Sequence, residues 1–69
     1  MTNADFEMRE LVDCIFYLHE FFDDIDKIAV WMMLPNPHLG NASPFALFQR
    51  GRGHKVLAFV KNALEENKI

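Results

Sequence analysis

Three fixed positive charges and a histidine fall within six residues at Arg50-Gly51-Arg52-Gly53-His54-Lys55. Arginine presents a planar fork of donors that matches carboxylate and phosphate oxygens, and free N–H groups at a following helix start also favour anions. The chemistry open to this stretch is anion recognition, of an acidic partner surface or of a phosphate. A solvated interhelical turn uses the same residues, with glycines set by geometry and bases by solubility, and both readings stand. The spacing is not that of a P-loop. Cys14, His19, His38 and His54 lack the i, i+4 or short-loop spacing of zinc motifs, so no metal is expected. Glu20, Asp23, Asp24 and Asp26 lack the glycine and glutamate offsets of a calcium loop and read as a helix cap and a solvated face. No glycine-framed serine elbow occurs, and four short helices leave little room for a closed catalytic pocket. Neither catalysis nor a cofactor is expected.

The elements that must position these groups read as four helices. Residues 3–22 form the first, capped by Thr2 or Asn3, with Asp5, Glu7 and Glu10 near its start, where the dipole favours acids. Leu11, Ile15, Leu18 and Phe22 make one apolar stripe and Met8, Val12 and Phe16 a second. Cys14, Tyr17 and Phe21 widen the apolar surface further. A helix apolar over most of its circumference is buried on more than one side, as a central core helix, a homodimer seam, or both. Asp23 or Asp24 caps a second helix that ends near Leu34, with Ile25, Ile28, Ala29, Met32 and Met33 inward and Trp31 near its end. Ser43 caps a short third helix that opens on Pro44 and carries Phe45, Leu47 and Phe48. Gly51 suits the left-handed position after it. A fourth helix over residues 53–66 turns Val56, Leu57, Val60 and Leu64 inward.

Residues 31–48 organise the chain, for they hold the single tryptophan and all three prolines. Leu34-Pro35 and Asn36-Pro37 must be extended or turn dipeptides, because proline drives the preceding residue out of the α region. The stretch is a helix end, a stiff proline-rich ordered loop pinned by Leu39, and a helix start. The expected fold is therefore all-α, a compact four-helix domain spanning residues 1–69, with the first and fourth helices supplying most of the core.

Sixty-nine residues stand near the lower limit for a self-sufficient core, yet the chain is 51% hydrophobic with seven phenylalanines. Not all of that surface can be buried, so an exposed apolar patch of the kind that marks an interface is expected. A lone Cys14 forms no internal disulfide, which suits a reducing cytoplasm. Neither a signal sequence nor a run long enough to span a bilayer is visible. Charge is polarised. Residues 1–27 carry eight acids against two bases, net −6, and residues 50–69 carry five bases, Lys61 among them, against two acids, net +3. Such asymmetry orients protomers or partners. An acidic chain without a recognition helix is a poor nucleic-acid binder.

Trp31, Pro35-Asn36, Leu39-Gly40, Ser43-Pro44 and Leu47, continuing through Gly51, Gly53, Val56 and Leu64, resemble the toxin-binding domain of Xre/MbcA/ParS-type antitoxins over residues 25–67. The chain departs at Asn41, where the family usually has a second glycine, a mild change because asparagine tolerates positive φ. The family's usual preceding helix-turn-helix is not present, so DNA binding is not expected. The resemblance implies a module that holds a RES-domain, NAD-consuming toxin in an inactive complex by stoichiometric occlusion. It also implies that the chain end, with Glu65 and Glu66, lies near the mouth of the toxin's NAD site. The expected partner-binding set is Arg50, Arg52, His54, Lys55, Lys61, Glu65 and Glu66. The structural anchors are Trp31, Pro35, Asn36, Leu39, Gly40, Ser43, Pro44, Gly51 and Gly53. A small phage- or plasmid-type inhibitor, or a structural dimer with another target, is the alternative.

Overall fold

A computed structural model describes residues 8–66. The caps expected at Thr2 or Asn3, the acids Asp5 and Glu7, and the chain end beyond Glu66 lie outside the described residues. Four α-helices follow in order: α1 Met8–Leu18, α2 Ile25–Met33, α3 Pro44–Gln49 and α4 Gly53–Glu66. No strand occurs among the described residues, and the all-α expectation holds. The packing of α1 on α4 is the most extensive, followed by α3 on α4 and α2 on α3.

Local signals in the sequence set the helix ends. Asp24 is extended (φ −126°, ψ 124°) and its carboxylate accepts from the Asp26 N–H at 2.9 Å. Leu34, held extended by Pro35, stops α2 as proline sterics require. Asn36 then caps a single 3-10 turn, Pro37–Leu39, by accepting from the His38 N–H at 2.9 Å. Gly40 and Asn41 both take left-handed backbone, φ 69° and 66°. This turns the chain back so that the Asn36 N–H donates to the Ala42 carbonyl at 3.1 Å. Ser43 Oγ accepts from the Ala46 N–H at 3.1 Å with Pro44 in the first turn, the expected start of α3. At its end the Arg52 N–H reaches the Leu47 carbonyl at 2.8 Å and the Gly51 N–H reaches Phe48 at 3.1 Å. With Gly51 at φ 76°, this is a Schellman motif.

The core gathers Cys14 and Leu18 of α1, Ile28 and Met32 of α2, Leu47 and Phe48 of α3, and Val56 and Val60 of α4. Phe48, 1% exposed, is the largest fully buried side chain. Gly53 lies against it so closely that a Cβ at this position would run into the Phe48 ring. The glycine here answers to close approach.

Four expectations are corrected. First, α1 stops at Leu18, not Phe22, because the Glu20 and Phe21 N–H groups bond i−3 carbonyls in a tight turn. Continuing to Phe22 would carry the chain about 6 Å further from the core, whereas the turn lets Leu18 and Ile28 share it. Second, within one chain α1 is covered on one side only, so it is not an enclosed central core helix. Cys14 and Leu18 are buried, while Met8, Val12 and Phe16 stand 61%, 53% and 69% exposed. Third, α2 buries Ile28 and Met32 but turns Ile25, Ala29 and Met33 outward. Its single neighbour of any extent, α3, covers one narrow face. Fourth, Trp31 and Leu64 are half-buried, and Ala63 takes the inner position on α4 instead.

Candidate functional site

Seven of the nine residues of α2 are apolar, and only Asp26 and Lys27 interrupt them. With Ile28 and Met32 packed inward, Ile25, Val30, Met33 and Leu34 remain 56%, 56%, 61% and 55% exposed. Beside them an open groove of about 400 Å³ is lined by Phe22, Asp26, Lys27, Val30, Trp31 and Leu34. Its lining surface is almost wholly apolar. Lys27 Nζ lies 3.8 Å from Asp23 Oδ1, an i, i+4 pair exposed to water and therefore contributing little.

An aromatic stack fixes the wall of this groove. The Trp31 ring lies 6.3 Å from Phe59 of α4 at an interplanar angle of 10°, and His38 stacks on Phe59 at 5.5 Å and 23°. Phe59 thus ties α2 and the proline-rich loop to α4 together. Sequence reasoning named Trp31 and Leu39 as the pins and missed Phe59 and His38. The proximity of His38 to Phe59 depends on how the loop folds back, and no local pattern reports it.

The expected anchors occupy varied positions. Pro44 and Gly53 are buried, Trp31, Asn36, Leu39 and Ser43 are half-buried, and Pro35, Gly40 and Gly51 are exposed. Of the expected partner-binding residues, Arg50, Arg52, His54 and Lys55 are all exposed around the α3–α4 turn. Lys61 stands apart, with its Nζ 5.8 Å from the Tyr17 ring centroid of α1. Exposed Glu65 and Glu66 occupy the other end of α4, about 16 Å along the helix from Lys55. The basic turn and the acidic end are separate features.

Cys14 is fully buried, and burial pushes its thiol up to about 12. It is a small core hydrophobe. Among the described residues, no three histidine, cysteine or acidic side chains gather as a metal site would need. Nor is any helix among them long and apolar enough to cross a membrane. No protein family, no curated protein and no solved structure matches the chain.

Proposed function

We propose that this chain is a protein-interaction module that neutralises a RES-type, NAD-consuming toxin by stoichiometric occlusion in the cytoplasm. The observation that carries the interaction reading is α2, apolar around its circumference yet packed on one face. A helix of that composition is normally buried on more than one side. Covering the exposed halves of Ile25, Val30, Met33 and Leu34 contributes about 1 kcal/mol each, about 4 kcal/mol together. That is about a thousandfold in affinity. The groove beside them receives an apolar side chain of the partner. The basic turn at Arg50, Arg52, His54 and Lys55 steers an acidic surface toward it, an effect on association rate more than on final affinity. Glu65 and Glu66 offer carboxylates to the cationic groups that an NAD-consuming site needs for the pyrophosphate.

The toxin's identity is supported by the resemblance of residues 25–67 to Xre/MbcA/ParS-type toxin-binding domains. A second reading, a structural dimer or an inhibitor of another protein, is favoured by the exposed stripe on α1. Co-expression with the RES-domain protein of the same host tests the first. The two chains are expected to co-purify in fixed ratio, and Val30→Asp with Met33→Glu is expected to abolish the complex while leaving the helix content unchanged. Failure to co-purify, or survival of the complex in that variant, overturns it.

A further inference from the structure

The second apolar face, on α1, differs in shape and in charge from the α2 groove. Met8, Val12 and Phe16 recur every four residues and form a convex ridge, each more than half exposed. Arg9 and Asp13 lie one turn apart along the same flank of this ridge, a cation and an anion in register with it. The single ion pair among the described residues is Lys27 with Asp23, so Arg9 and Asp13 do not satisfy one another.

A straight ridge flanked by one cation and one anion is complementary to itself about a two-fold axis. We propose that α1 is the seam of a homodimer in which two copies of α1 pack antiparallel, with the axis at the level of Leu11. This rests on the reading of the chain as an interaction module and names the face that self-associates. An antiparallel pair sets like flank against like flank. With the axis midway between Arg9 and Asp13, each Arg9 lies level with the second copy's Asp13, giving two symmetric ion pairs. The same register lets the apolar side chains interdigitate, Met8 fitting between Val12 and Phe16 of the second copy, as ridges fit grooves. A parallel pair would set the charged flank against Leu11 and Ile15, which offer no charge. The ridge from Met8 to Phe16 is about 12 Å long, too short for a standard interface, so the dimer dissociates in the range of about 10–100 μM. That leaves the α2 groove open to a different protein.

Sedimentation equilibrium of the full chain across that range tests the seam. The parent is expected to dimerise. Arg9→Asp makes the flank wholly acidic and Asp13→Arg makes it wholly basic, and each is expected to weaken the dimer about tenfold, equivalent to about 1.4 kcal/mol. An equimolar mixture of the two variants is expected to regain the parent's affinity, because each acidic flank then meets a basic one. Phe16→Asp is expected to be monomeric, with the parent's helix content by circular dichroism, since its ring is 69% exposed and meets the core only through an edge contact with Tyr17 at 6.0 Å. A monomeric parent overturns the proposal. So do single reversals that dimerise like the parent, and so does a mixture no tighter than its components. A monomeric variant that still binds and silences the toxin removes only the seam and leaves the proposed function standing.

Discussion

Replacing Gly53 by alanine asks whether the α3–α4 corner is closed by contact or by backbone freedom. The new methyl group would run into the Phe48 ring, which is 1% exposed and enclosed by the other core side chains. Two effects oppose each other. Alanine in place of glycine favours a helix by up to about 1 kcal/mol, and less at a helix start. Forcing extra volume into a packed core costs about 1–3 kcal/mol, and a ring with no free side to move into sits at the upper end. The expected net effect is a loss of about 2 kcal/mol, lowering the melting temperature by about 8–16 °C for a domain of this size. The assay is thermal unfolding followed by far-UV circular dichroism. Gly40→Ala supplies the contrast, for there the methyl group meets open space and only the left-handed φ of 69° is strained. In combination with Phe48→Leu, which removes ring volume, Gly53→Ala should cost less than it does alone, a coupling of about 0.5–3 kcal/mol. A melting temperature at or above the parent's, or strictly additive effects with Phe48→Leu, would refute the clash.

Trp31→Ala should weaken the domain without unfolding it. A fully buried ring would cost about 3–5 kcal/mol, but Trp31 is half-buried. About half of that cost, with the stack on Phe59 included, gives about 2–3 kcal/mol. A cooperative melt shifted down by 10–20 °C, following the scaling for small domains, is the expected curve, and a flat one would place Trp31 at the centre of the core. For Cys14, a thiol held up at about 12 binds its proton in the folded chain while the unfolded thiol loses it from its ordinary 9.0. The unfolded state therefore binds fewer protons between those values, and stability falls as pH rises through that window. Alkylation of native protein near pH 8 should be slow and should accelerate in denaturant. Equal rates in both conditions would mean that Cys14 is accessible. Reversing Arg50 and Arg52 to glutamate should slow association with an acidic partner at low salt and make little difference at high salt. Equal association rates at low salt would make the turn a solvated corner only.

The ends of α2 and α3 were legible because each depends on a few adjacent residues, whereas the end of α1 at Leu18, with no proline or glycine to mark it, was not. Asp24, Ser43, Pro35, Pro44 and Gly51 each act within one turn, and each stands where its chemistry requires. Asn41 also adopts positive φ, as the resemblance implied by placing it where the family usually has a glycine. The faces were less legible. Nearly every position of α2 is apolar, so periodicity could not say which side turns inward, and the packing of α3 decided it for Ile28 and Met32. Similarly, tryptophan is the largest side chain, yet Phe48 holds the centre because α3 crosses there and Gly53 lets α4 close on it. The excess of apolar residues in so short a chain did announce exposed surface. Its location on α1 and α2 became visible only with the helices packed.

Titrating the chain into the host's RES-domain toxin while following NAD consumption tests the proposed occlusion through the exposed apolar surface. A linear fall in turnover that reaches its floor at a fixed molar ratio is expected, and no fall with the Val30→Asp, Met33→Glu variant. Turnover that continues unchanged in molar excess of the folded parent would contradict it.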